Sequence, residues 1–94
     1  MKDKIAFEFD ENKSQTNKEK YGISFEEAKI LWENDNALVV PAKNVSQEER
    51  FALISMFGSK CYVAIFTIRD GKYRIISVRR CRKNEEKNYE QNTK

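Results

Sequence analysis

Hydrophobic and polar positions alternate along the chain in a way that separates a helical first part from a strand-rich second part. The opening run Ile5-Ala6-Phe7-Glu8-Phe9 predicts a short strand, and Asp10 is an N-cap for a helix over Glu11 to Lys20. That stretch contains no apolar residue, so a helix there gains little from tertiary packing. By spacing, Lys13, Asn17, Lys20 and Tyr21 share one face of it, either a solvated face or one that meets phosphates or a partner. Gly22 supplies a left-handed stop. Ser24, with Glu27 three residues on, forms a capping box for a second helix, whose Phe25, Ala28, Leu31 and Trp32 make a core stripe.

The second half predicts strands. Ala37 to Val40 is a short apolar run that Pro41 ends or confines to an edge. Phe51–Phe57, Cys61–Arg69 and Lys72–Arg80 are three longer strands, joined at Gly58-Ser59 and Asp70-Gly71, the latter a strong two-residue hairpin signal. From Arg82 onward the chain is charged and helical in propensity, with Tyr89 as its apolar anchor. The expectation is an α+β fold: an antiparallel sheet, made of a meander of three to four strands plus the N-terminal strand, with two N-terminal helices and a short C-terminal helix. Length sets a single domain, 1–94, as the expectation.

The two turns set a trial register. It places Arg69 opposite Lys72, Thr67 opposite Arg74, Tyr62 opposite Arg79, Ser55 opposite Tyr62 and Arg50 opposite Thr67. Alternation then gives one face a polar row of Arg50, Thr67 and Arg74, and the other face a row of Ser55, Tyr62 and Arg79. The rows fall on opposite faces and at opposite ends of the meander, and a bulge would break the pattern.

Charge sharpens the contrast between the halves. Residues 1–49 carry seven lysines and no arginine against eleven carboxylates, a balance of −4. Residues 50–94 carry six arginines and five lysines against four carboxylates, a balance of +7. Such a split suits either a polyanionic partner or surfaces that compensate each other within the fold.

The chain has no histidine, which removes Ser-His-Asp and Cys-His nucleophile systems. Its two cysteines, Cys61 and Cys81, stand in no CxxC or CxxH pattern, so no zinc site and no other metal or cofactor is expected. Without a secretion signal or a membrane-length apolar run, the expectation is a cytoplasmic protein with reduced, buried thiols. The three glycines are isolated and form no phosphate loop. What remains is Arg, Lys and Tyr around a sheet. Such residues can grip a phosphate, stabilise charge developing on it and, with lowered pKa values, move protons, which would let an RNA 2′-hydroxyl attack its own phosphate. They could equally bind RNA without cutting it, or do neither.

The ordered set Phe9-Asp10, Lys13, Asn17, Lys20-Tyr21-Gly22-Ile23-Ser24-Phe25-Glu26-Glu27-Ala28 resembles the opening signature of BrnT toxins. The step Glu49-Arg50-Phe51, Gly58, Phe66-Thr67 with Arg69, Arg74-Ile75-Ile76-Ser77-Val78-Arg79, and a tail with Glu85 and Tyr89 continue the likeness. The resemblance implies a RelE-like fold and a ribonuclease that stops translation. It also implies a partner, a BrnA-like ribbon-helix-helix antitoxin, through which alone the pair would meet operator DNA. Arg50, Arg74 and Arg79 are the implied catalytic contacts, and Lys20, Tyr21, Arg69, Lys83 and Tyr89 the implied RNA contacts. For each arginine the plain alternative is a solvated or salt-bridged charge at a strand end. The family's usual His is Tyr21 here, and a tyrosine, ionising near pH ~10, replaces it as acid or base only with a much lowered pKa. The competing reading is a non-catalytic nucleic-acid-binding or antitoxin-docking module on the same scaffold.

Overall fold

A computed structural model describes residues 5–45 and 48–92. In chain order it runs β1 (Phe7–Glu8), α1 (Glu11–Tyr21), α2 (Phe25–Ala28), a 3-10 turn (Lys29–Glu33), β2 (Leu38–Val45), β3 (Glu48–Phe57), β4 (Lys60–Arg69), β5 (Lys72–Arg80) and α3 (Lys83–Asn92). The five strands form one sheet in the order β1-β5-β4-β3-β2. The α+β class and the meander agree with the pattern of the sequence. The purely antiparallel sheet does not, because β1 pairs in parallel with β5 through Phe7 opposite Tyr73 and Glu8 opposite Arg74. The sheet is therefore mixed. The helix between β1 and the meander makes a parallel return possible, and periodicity along a two-residue strand carries no information about direction.

Local chemistry sets the helix ends. Asp10 Oδ1 accepts the backbone N–H groups of Asn12 and Lys13 at 2.8 and 3.1 Å. Gly22 closes α1 at φ 78°. The capping box on α2 is complete: Ser24 Oγ accepts from the Glu27 N–H at 3.1 Å, and Glu27 Oε1 accepts from the Ser24 N–H at 2.9 Å. The helix expected to continue through Trp32 instead tightens into the 3-10 turn after Ala28.

α1 is anchored by polar side chains. Ser14 and Asn17 are its buried residues. Ser14 Oγ accepts the Phe25 N–H at 2.9 Å. Asn17 donates to the Ile23 carbonyl at 2.8 Å, and its Oδ1 accepts the Val78 N–H at 3.2 Å. Asn17 thus satisfies a backbone group of β5 that no strand pairs with beyond the end of β1, a buried donor that would otherwise go unmet.

The sheet separates two apolar clusters. Ile23, Phe25, Ala28 and Leu31 pack on one face against Leu53, Tyr62, Ala64, Phe66, Ile75 and Val78, with Phe7, Trp32, Phe51 and Tyr73 at the margin. The other face holds Ala52, Ile54, Cys61 and Val63, flanked by Leu38, Val40, Met56, Ile65 and Tyr89 of α3. Residues opposite one another in the ladder share a face, so the register decides which arginines can act together.

The trial register holds from Phe57 opposite Lys60 to Ser55 opposite Tyr62, and from Arg69 opposite Lys72 to Thr67 opposite Arg74. Asp70 and Gly71, both with positive φ at 53° and 76°, make the expected hairpin turn. The register fails farther along β5. Phe66 lies opposite Ile75, but Ile65 lies opposite Ser77, so Ile76 is an extra residue, a β-bulge. Beyond it Tyr62 faces Arg80, and Arg79 faces Val63. The bulge moves Val78 onto the Leu53–Ala64 face and Arg79 onto the face of Arg50 and Arg74, which corrects the opposite-face expectation. The separation along the strands remains.

The thiols are the other correction. Cys61 and Cys81 form a disulfide, with Cα atoms 5.4 Å apart. The hairpin brings them to facing positions, where the Cys81 N–H also donates to the Cys61 carbonyl at 3.0 Å. The pairing depends on the facing positions that the hairpin creates, which the spacing of the two cysteines along the chain does not reveal.

Candidate functional site: the arginine face of the sheet

One sheet face carries Arg50 from β3, Thr67 and Arg69 from β4, and Arg74, Ser77 and Arg79 from β5, with Glu48 and Glu8 beside them. Arg50, Thr67 and Arg74 form a row across three neighbouring strands, which spans about 10 Å at ~4.8 Å per strand. Arg79 stands farther along β5, five residues from Arg74, at the end of the face where α3 begins.

Each arginine is held by a carboxylate. Arg50 and Arg69 both reach Glu48, at 3.3 and 2.9 Å. Arg74 reaches Glu8 across the parallel β1–β5 pair at 3.1 Å. Arg79 makes a bidentate pair with Glu85, Nη1 to Oε1 and Nη2 to Oε2, both at 2.8 Å. Glu85 Oε1 also accepts the Arg82 backbone N–H at 2.7 Å, which fixes the carboxylate at the first turn of α3. Thr67 donates to the Glu49 carbonyl at 2.6 Å and so braces the strand that bears Arg50.

The titration behaviour follows these contacts. The hydrogen bond from Arg69, joined by that from Arg50, holds Glu48 below the usual carboxylate range. Glu85 is lowered chiefly by its hydrogen bonds from Arg79, against a smaller opposing effect of burial. Arg79 is raised in turn, chiefly by Glu85, with burial opposing and a smaller electrostatic contribution from Tyr21 when it is ionised. Tyr21, on the last turn of α1, therefore lies within electrostatic reach of Arg79.

The other residues singled out in the sequence divide. Lys20 and Tyr21 are exposed on α1, beside β5, and line a groove of about 330 Å³ with Lys13, Asn12, Thr16 and Ser77. Lys83 begins α3 and is exposed. Tyr89 is half-buried; its ring packs on the second apolar cluster and its hydroxyl accepts from Asn34 Nδ2 at 3.0 Å, so it anchors α3. From the sequence, Glu49 is the neighbour expected to orient Arg50, but Glu48 takes that place, and Glu8 and Glu85 are carboxylate partners the sequence reading does not foresee. For Glu85 the signal was present: it stands three residues after Arg82, at the opening of a helix. For Glu8 there was none, since only the parallel pairing brings it to Arg74.

Among the described residues, no group of three or more His, Cys, Asp or Glu side chains could hold a metal ion, and no helix is long and apolar enough to cross a membrane.

Fold and face together define a small α+β protein with a cationic sheet surface braced by carboxylates. The family model described as "Ribonuclease toxin, BrnT, of type II toxin-antitoxin system" matches residues 9–85, and the chain belongs to that family. The family is one of ribonuclease toxins that act within a toxin–antitoxin pair. A comparison with curated proteins found no match.

Proposed function

We propose that this chain cuts RNA without a metal and so inhibits translation, using Arg50, Arg74 and Arg79 on the phosphate, in a RelE-like arrangement of sheet and helices. The observation that carries this reading is the bulge at Ile76, which puts Arg79 on the same sheet face as Arg50 and Arg74. In the proposed reaction the RNA 2′-hydroxyl attacks the adjacent phosphorus and the bond from phosphorus to the 5′-oxygen breaks. The 2′-hydroxyl gives up its proton, the departing 5′-oxygen takes one, and the products are a 2′,3′-cyclic phosphate and a 5′-hydroxyl. Negative charge gathers on the non-bridging oxygens, where a planar guanidinium with paired donors is well matched. The ion pairs with Glu8, Glu48 and Glu85 hold the guanidinium groups in place before substrate arrives, which lowers the reorganisation needed at the transition state.

The partner that holds the toxin inactive is, on this reading, a BrnA-like ribbon-helix-helix protein that also carries the pair to operator DNA. The test is incubation of the purified chain with single-stranded RNA in excess chelator. Cleavage with cyclic phosphate ends is expected. Activity that vanishes in chelator and returns with magnesium overturns the metal-free mechanism.

A further inference from the structure

The cations of the sheet face are already engaged by carboxylates, and on α1 Lys18 is paired with Glu27, which leaves Lys13 and Lys20 to consider. Among the described residues no carboxylate pairs with Lys13 or Lys20, and both are exposed. They flank the groove between α1 and the free length of β5, whose walls also include Asn12, Thr16, Tyr21 and Ser77. Two features of the fold create it. Asn17 ties the middle of α1 to the Val78 N–H, so the helix lies alongside β5 without sheet pairing. The bulge sets Ile76 and Ser77 side by side along the groove floor.

Its chemistry is specific. Lys13 and Lys20, seven residues apart, stand about 10 Å apart along the axis at ~1.5 Å per residue. Tyr21, the last residue of α1, is 42 % exposed, an aromatic surface open to solvent. Asn12, Thr16 and Ser77 offer amide and hydroxyl groups in the space between, beside the apolar side chains of Phe25 and Ile76. Spaced ammonium groups for phosphates, an aromatic ring for a base and neutral hydrogen-bonding groups for base edges or a 2′-hydroxyl are the parts of a single-strand binding track.

We propose that the α1–β5 groove is a binding subsite for single-stranded RNA next to the cleaved bond, with Lys13 and Lys20 on phosphates and the Tyr21 ring stacked on a base. The subsite rests on the ribonuclease reading and extends it, because it leads the RNA along β5 at Ser77, which shares a sheet face with Arg79 two residues on. A duplex, with its bases already stacked, offers Tyr21 no face.

The experiment measures binding of a fluorescent, fully 2′-O-methylated single-stranded RNA, which cannot attack its own phosphate, across a salt series. Variants are Lys13→Ala with Lys20→Ala, Tyr21→Ala, Tyr21→Phe, and Lys87→Ala on α3 as control. The double lysine variant should lower the slope of log affinity against log salt by about 1.4, at ~0.7 per lost phosphate contact, and weaken binding about tenfold or more at low salt. Tyr21→Ala should weaken binding roughly 5- to 150-fold, the range for one stacked base, with Tyr21→Phe and Lys87→Ala close to the parent. Unchanged slope and affinity in the lysine variant overturn the track. A Tyr21→Phe loss as large as that of Tyr21→Ala overturns stacking. If the parent cleaves RNA while the variants bind as it does, the subsite fails and the ribonuclease reading stands. If the parent neither binds nor cleaves, both fail.

Discussion

Arg79 and Glu85 meet through two parallel hydrogen bonds of 2.8 Å that join the end of β5 to the first turn of α3. The pair is mostly buried, with side-chain exposures of 26 % and 17 %. Because Glu85 is also bonded to the Arg82 N–H, the carboxylate has little freedom to leave, and the guanidinium keeps one orientation. A phosphate arriving on this face meets an arginine whose position is set by the fold.

That pair contributes to stability in a pH-dependent way. The Glu85 pKa in the folded chain is lowered, chiefly by Arg79, below its unfolded value of about 4.3. Its stabilisation is therefore present above the unfolded pKa and is lost as pH falls through the folded one. Glu85→Gln is expected to cost about 1 kcal/mol near neutral pH and to flatten the acid limb of the stability curve. Thermal melts of both proteins between about pH 7 and pH 3 check this, and parallel curves would remove Glu85 from the acid transition.

Asn17 predicts a larger effect. Its amide satisfies the Ile23 carbonyl and the Val78 N–H, both buried with it. Asn17→Ala leaves both without a partner and should cost about 2–4 kcal/mol, since each unmet buried group costs ~1–3 kcal/mol. Thr16→Ala, on the exposed side of the same helix, should stay within about 0.5 kcal/mol of the parent. Urea unfolding of the two variants measures the contrast, and equal midpoints would mean that α1 is held by something other than its buried amide.

Asn17 also shows what the sequence could and could not disclose. The caps of α1 and α2, the Asp70-Gly71 hairpin and the long strands were legible, because each depends on neighbours in sequence. The fixation of α1 was not, because periodicity registers apolar stripes, and this helix is held by Ser14 and Asn17. The parallel pairing of β1, the bulge at Ile76 and the facing cysteines depend on contacts between distant segments. The arginines were visible as residue types and through the family resemblance. Their common face was not, since one extra residue in β5 reverses the orientation of everything beyond it.

The disulfide is open to direct measurement. Cys61 and Cys81 are 20 residues apart, and closing a loop of that size stabilises a small domain by about 3 kcal/mol through the unfolded chain. The oxidised protein is expected to show no free thiol on denaturation and to unfold at lower urea concentration once reduced. Two reactive thiols in the freshly purified protein, with unfolding indifferent to reductant, would count against the bond.

The arginines give the sharpest test of the proposed chemistry. Arg50→Ala and Arg79→Ala are each expected to abolish growth arrest while the protein remains folded. Both side chains are only about a quarter exposed, so truncation removes some packing of their stems and also leaves a carboxylate behind, Glu48 or Glu85. For Arg79 and Glu85 the lost pairing is worth about 1 kcal/mol, a shift of roughly 4–8 °C in a domain of this size. Removing a donor aimed at charge developing on a phosphate costs far more in rate, about 3–4 kcal/mol of barrier or roughly 100- to 1000-fold. Arg79→Lys separates the two effects further. A lysine keeps the charge beside Glu85 and most of the stability, but it has no planar fork to present to a phosphate, so activity should stay low. Arrest of growth is scored with melts of the same variants, and exposed Lys87→Ala serves as the neutral control. If Arg50→Ala and Arg79→Ala melt near the parent and still arrest growth, these side chains are structural cations paired with their carboxylates. If only Arg79→Ala is inactive, the reacting phosphate lies at the α3 end of the face, beside Tyr21. If only Arg50→Ala is inactive, it lies in the row shared with Thr67 and Arg74.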